Sequence, residues 1–241
     1  MFFFFPIFDS IILLYILVAI IPAVFLLRYI YRMDRVDRES PQLLISLLFL
    51  GVAAALASML LETIGEDVLN ALIPDRNSMT YTAALAFLVV AVIEEGTKFL
   101  FCTLRTWNNR EFDCRFDGIV YMAFTSLGFA AFENILYIFN YGLSVAGPRA
   151  VLSVPGHLGF SVAAGALYGR AKQCRDLGRS GLKTLCLILA YAIAVLLHGF
   201  YDFCAMRSTA KAGIAFAVFV IAMYIIIILL IREESRNDRY I

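Results

Sequence analysis

Seven stretches of this chain are mostly apolar over about 20 residues, the length that crosses a bilayer as a helix. They fall at roughly 9–28, 42–62, 80–104, 117–140, 150–170, 184–205 and 212–231. Short polar segments separate them, with no linker, low-complexity tract or internal repeat between. The pattern predicts an all-α, polytopic membrane protein of about seven transmembrane helices, with residues 1–241 forming a single transmembrane domain. The first span is expected to be retained rather than cleaved: no basic segment precedes it, and Arg28, Arg32, Arg35 and Arg38 follow it.

Basic residues alternate between the connections. Arg28 to Arg38 follow span one, Arg105, Arg110 and Arg115 follow span three, and Arg170, Lys172, Arg175, Arg179 and Lys183 follow span five. Arg232, Arg236 and Arg239 lie in the tail. The other connections hold only Arg76, Arg149, and Arg207 with Lys211. Cytoplasmic loops are enriched in Lys and Arg, so the N-terminus is expected outside and the C-terminus inside. The segment Glu62–Met79, with Glu66, Asp67 and Asp75, reads as an outer loop. Trp107 and the phenylalanines at the start read as interface aromatics.

Composition agrees with a lipid environment. Hydrophobic residues make up 62% and charged residues 16%, against about 45–50% and about 25% in soluble domains. The net charge of +1 selects no partner; the bilayer is the expected surround, and nothing points to nucleic acid. The five cysteines form no CxxC pair and read as reduced thiols, with Cys114 and Cys174 in cytoplasmic loops.

The informative residues are ionisable ones inside spans, where each costs about 2.5–3.5 kcal/mol on insertion scales. Span three carries Glu94, Glu95 and Lys98; span four, Glu133, Asn134 and Tyr137; span five, His157 within Pro155-Gly156-His157; span six, His198 and Asp202. Spacings of three and four put each group on one helix face, so either glutamate of span three can meet Lys98. The partner left over would be free as a general base. At a rise of about 1.5 Å per residue, Glu94 lies roughly 20 Å from the outer end of its span, and Glu133, His157 and His198 roughly 11 Å. A water-filled cavity open to the outer side would reconcile these depths with lipid. Small residues such as Gly128, Gly156, Gly159, Gly165 and Gly169 let helices approach closely around it.

In order along the chain, Glu94-Glu95-x-x-Lys98, Phe132-Glu133-Asn134-x-x-Tyr137 and His198-x-x-x-Asp202 resemble the motifs of PrsW-type intramembrane proteases, part of the CAAX-prenyl-protease-like group of membrane peptidases. Phe116-Asp117-Gly118 and Gly128-Phe129-Ala130-Ala131 look similar too. The resemblance covers spans three to six, with a fainter echo near Asp34 and Pro41. It implies a peptidase of the bacterial cell membrane. Its substrate would be a single-pass membrane protein such as an anti-sigma factor, cut on the extracytoplasmic side at the start of a stress response. The catalytic core would be about 80–205. Glu94 or Glu95 would activate water, Glu133 and His198 would complete the catalytic set, and Lys98, Asn134, Tyr137 and Asp202 would support it. The family is classed among metalloproteases while its relatives look like glutamate proteases. A zinc or other divalent set of Glu133, His157 and His198 therefore stands beside a metal-free reaction. No HExxH or GxSxG occurs. The rival class is a proton- or ion-coupled transporter, since buried carboxylates and histidines also build proton relays.

Overall fold

The computed structural model describes residues 4–241, with side chains from Ser10 onward; the phenylalanine run at the start lies outside the described side chains. Among the described residues the regular structure is helical, apart from one isolated bridge between Cys114 and Tyr240. The helices are α1 (Phe4–Met33), α2 (Pro41–Leu72), α3 (Met79–Ala84), α4 (Val92–Thr106), α5 (Asp117–Tyr141), the short α6 (Ala146–Pro148), α7 (Val154–Asp176), α8 (Ser180–Ala205) and α9 (Ala210–Arg236). A π-helical segment, Leu85–Ala91, joins α3 to α4, and a second, Arg149–Ser153, joins α6 to α7.

Local chemistry sets the boundaries. Ser40 caps α2, its Oγ accepting from Leu43 N at 3.3 Å, with Pro41 at the first turn. Thr209 caps α9 in the same way through Ala212 N at 3.2 Å. Between α7 and α8 the chain turns at Gly178, whose φ of 70° suits a residue without Cβ.

Two boundaries differ from the hydropathy reading. Helix α2 continues past residue 62 to Leu72, so Glu62, Glu66 and Asp67 are helical and the connection shrinks to residues 73–78. No proline interrupts the chain until Pro74, and the residue before a proline is where a helix tends to stop. Gly65 inside this stretch packs against Val89, leaving no room for a larger side chain. Helix α7 runs to Asp176, so Cys174 sits in its last turn rather than in a loop. The five cysteines are free. Trp107 is half-buried, packed against Phe112 and Tyr168, with its carbonyl accepting from Arg175 at 2.8 Å.

Six helices are long and apolar enough to cross a membrane. The run 79–106, interrupted by its π-helical segment, makes the seventh crossing, as the placement of the loops requires. The loop after α1, the loop after α4 and the tail meet at one end: Ser40 N donates to Glu111 Oε2 at 2.8 Å, Arg115 N to Arg239 O at 3.3 Å, and Ile241 N to Asp113 O at 2.8 Å. Chain leaving this end on α2 and returning to it at Thr106 has crossed twice. All the basic connections therefore share one face, the one that the sequence reading expects in the cytoplasm.

Helices α5 and α7 are buried along most of their length, whereas α1, α8 and α9 expose residues such as Phe25, Ile188 and Ile214 toward lipid. At the α5–α7 crossing a Cβ built on Gly118 would lie 2.5 Å from Gly165 O, and one on Gly165 would lie 2.6 Å from Gly118 O. Only glycine at both positions permits that approach, which sets the spacing of the two helices that carry Glu133 and His157.

Candidate active site

Four helices bring the intramembrane charges into one buried network. On α4, Lys98 Nζ lies 2.6 Å from Glu95 Oε1 and 3.3 Å from Glu94 Oε2, so the ammonium meets both glutamates. It also lies 3.2 Å from His157 Nδ1 on α7. An ammonium only donates, which makes Nδ1 the acceptor and leaves Nε2–H to donate to Glu133 Oε2 on α5, 3.1 Å away. On α8, His198 Nδ1 is 2.8 Å from Glu95 Oε1, and its Nε2 is 3.3 Å from Asp202 Oδ2. Both ring nitrogens thus face carboxylates. Phe160 stacks on the same ring at 4.9 Å, fixing its plane.

The two glutamates of α4 are not equivalent. Glu95 is clamped by Lys98 and His198 and does not border the cavity. Glu94 makes only the longer contact to Lys98, stands 4.0 Å from His198 Nδ1, and borders a cavity of about 820 Å³. That cavity is also lined by Glu62, Tyr137, Arg149 and Asp202. Its rim residues, including Tyr141, Pro148 and Arg207, lie at the end of the bundle opposite the basic loops.

The supporting residues divide. Asn134 donates to Ala19 O on α1 at 2.7 Å and accepts from Arg149 Nε at 2.8 Å, so it ties helices together. Tyr137 carries the Arg149 guanidinium on its ring face, 3.8 Å from the centroid. Ser126 and Ser161 both donate to the backbone carbonyl of His157, at 3.0 and 2.9 Å, and so brace the histidine.

Two residues escaped the sequence reading. Arg149 counted there only as a charge in a sparsely basic loop, yet its Nη2 lies 2.6 Å from Glu133 Oε2. Glu62 was assigned to the start of a loop, yet it lines the cavity and its Oε1 has no hydrogen-bond partner. The π-helical segments also carried no periodic signal. The one before His157 has a local cause. Pro155 cannot donate to Val151 O, four residues back. The Tyr224 hydroxyl of α9 takes that carbonyl instead, at 2.6 Å. The one before Glu94 leads into Val92, whose carbonyl accepts from the Tyr191 hydroxyl of α8 at 2.9 Å. π-Helical turns inside helices are often found at functional sites.

The donor chemistry fits a metal. Glu94, Glu95, His157 and His198 each offer a ligand atom within 4.8 Å of the others, and imidazole with carboxylate is a zinc-type set. Glu133 stands outside that group, joined to it through His157 Nε2. In this arrangement the Lys98 ammonium contacts three of the same groups.

Residues 39–230 match the family model described as "PrsW family intramembrane metalloprotease". The chain is 32% identical over 221 residues to a protein named Protease PrsW from Oceanobacillus iheyensis, covering 91% of this chain and 95% of the relative. It is 34% identical over 185 residues to that of Bacillus subtilis, covering 77% and 79%, and 30% identical over 221 residues to that of Shouchella clausii, covering 92% and 97%. No solved structure matches.

Proposed function

The chain belongs to the PrsW family of intramembrane metalloproteases and is a multi-pass membrane peptidase; from that premise we propose that Glu94 is the general base that activates water for peptide hydrolysis. The observation that carries this choice is the asymmetry of the pair: Glu94 borders the cavity and Glu95 is held by Lys98 and His198. Glu94 takes a proton from water, and the oxygen adds to the scissile carbonyl carbon. The same carboxyl returns the proton to the amine as the C–N bond breaks. His198, oriented by Glu95 and Asp202, stabilises the oxyanion by its charge. Glu133, fixed by Arg149 and His157, places a second carboxylate on the cavity wall. The catalytic core is 80–205, with α2 and α9 closing the cavity.

In a metal-bound form, Glu95, His157 and a neutral His198 would hold a zinc-class ion, which would polarise the carbonyl in place of the His198 charge and acidify the attacking water, with Glu94 remaining the base. The substrate is a single-pass membrane protein that enters the cavity from the extracytoplasmic side. An anti-sigma factor fits that description, as the family resemblance implies.

The test is single substitution, Glu94→Gln, Glu95→Gln, Glu133→Gln and His198→Ala, with membrane insertion verified. Cleavage of a membrane-anchored reporter is then followed. Loss of cleavage in Glu94→Gln with an intact fold supports the assignment; undiminished cleavage in Glu94→Gln overturns it. Chelation followed by metal analysis separates the metal-bound from the metal-free reaction.

A further inference from the structure

One acid on the cavity wall has no part in the hydrolysis. Helix α2 presents Ala55, Ser58, Met59, Glu62 and Glu66 to the cavity, and spacings of three and four mark a single helix face. Ser58 Oγ and Thr97 Oγ1 lie 2.7 Å apart, which pins that face to α4, and Thr97 Oγ1 donates to Glu94 O at 3.0 Å. Nearer the rim, a Cβ built on Gly65 would lie 2.8 Å from Val89 Cγ1, so glycine there lets α2 close on the π-helical segment before α4. These two contacts hold Glu62 beside the active site. The charged groups that act on it most strongly are, in order, Glu94, Glu133, His198 and Lys98.

The deeper carboxylates of the cavity each have a cation. Glu94 has Lys98, Glu133 has Arg149, and Asp202 has His198. Among the described residues, no ion pair or hydrogen bond reaches Glu62. Its Oε1 is enclosed and has no partner; Oε2 has none either but is not enclosed, which leaves it the oxygen that faces the cavity. The cations nearby are already engaged: Lys98 holds the two glutamates of α4, and Arg149 holds Glu133 and Asn134. Glu66, one turn nearer the rim and exposed, adds a second negative charge along the same wall. A carboxylate without a partner inside a membrane span is costly. A cation that enters the cavity removes that cost.

We propose that Glu62 is a specificity-determining residue that binds a lysine or arginine side chain of the substrate beside the scissile bond. The inference rests on the peptidase reading, which places the substrate chain in this cavity. The Ser58–Thr97 bond fixes the depth. From it, Glu62 lies four residues toward the rim along α2, and Glu94 lies three residues the same way along the antiparallel α4, about 6 and about 4.5 Å. The two carboxylates therefore stand at nearly the same level. An extended chain advances about 3.3 Å per residue, so the basic residue falls within about two positions of the bond that Glu94 serves. The apolar stem of such a side chain has Met59 and Leu85 to lie against on the same wall. A neutral side chain in its place leaves Glu62 unpaired as the substrate expels water, so discrimination comes from a penalty on the wrong substrate.

The test uses full-length protein in detergent and a membrane-anchored reporter whose cut site is mapped by mass spectrometry. Lysine, methionine or glutamate is placed in turn at each of the two positions on either side of the bond, and kcat/KM is measured. Wild type is expected to prefer lysine over methionine at least about tenfold at one of these positions. The preference should fall below about threefold in Glu62→Gln, and Glu62→Lys should prefer glutamate over methionine there. Each preference is a ratio within one variant, so a general loss of activity cancels. A wild type indifferent to lysine at every position overturns the proposal without any variant. A preference that survives Glu62→Gln overturns it as well. Cleavage that needs Glu94 yet ignores lysine sinks this inference alone, whereas a reporter that is never cut sinks the peptidase reading with it.

Discussion

The molecule buries two polar clusters at opposite ends of the same helices, and they solve the problem of buried charge in opposite ways. At the cavity end, Glu94, Glu95, Glu133 and Asp202 are matched by Lys98, Arg149 and the two histidines, and most of the charged atoms have a partner. At the end of the basic loops, Asp34, Glu39, Asp117 and Asp238 crowd together with no cation among them to match their number. The difference teaches what each can tolerate. A matched network loses stability when one member is removed, because a buried charge is left uncompensated. An unmatched one gains when a member is neutralised.

The largest effect should separate chemistry from charge balance. Glu94→Gln is expected to lower the turnover of a reporter substrate by about 10²–10⁴-fold, the usual range for a general base. Its melting temperature should stay close to wild type, since Glu94 makes the weaker contact to Lys98. Next in size, Lys98→Met leaves two carboxylates without their shared cation and should cost about 3–5 kcal/mol, read from chemical or thermal unfolding in detergent. A neutral effect would break the comparison at its first term. At the other end the sign reverses. Asp34→Asn should stabilise the protein by about 1 kcal/mol, because it removes a buried charge whose side-chain oxygens have no hydrogen-bond partner. Destabilisation would show that Asp34 has a partner in solution.

The smallest effect is a pH slope. Burial, reinforced by neighbouring carboxylates, pushes the Asp34 carboxyl up to about 7 and that of Glu39 up to about 8. Between the ordinary carboxylate range and those values the folded chain binds more protons than the unfolded one. Stability should therefore fall as pH rises from about 4 to about 8. The paired substitution Asp34→Asn with Glu39→Gln should flatten that slope in thermal unfolding at several pH values.

The cavity end was largely readable from the chain. Charged residues within apolar runs are conspicuous, and spacings of three and four place Glu94, Glu95 and Lys98, or His198 and Asp202, on shared faces wherever the helix lies. The comparisons assign the chain to proteases rather than transporters. The opposite end was readable only as a resemblance, at Phe116-Asp117-Gly118 and near Asp34 and Pro41, and not as a buried cluster. Asp34, Glu39, Asp117 and Asp238 sit in or beside polar connections, where acidic residues are ordinary, and nothing local shows that three distant segments close over them. Arg149 and Glu62 were missed for a similar reason. Each stands at the edge of a span, where a charge is unremarkable until neighbouring helices enclose it.

The sequence by itself determined that the chain is a helical membrane protein, how its basic loops alternate, and which intramembrane residues share a helix face. These follow from bilayer thickness, the cost of charge in lipid and the 3.6-residue repeat, all of which act locally. Only the tertiary structure decided that Glu94 rather than Glu95 borders the cavity, that Arg149 joins Glu133, and that a second set of carboxylates meets at the far end. Those depend on helix rotation, on π-helical turns stabilised by tyrosines of other helices, and on the α5–α7 crossing at Gly118 and Gly165. They are relations between segments far apart in the chain, which no local pattern encodes.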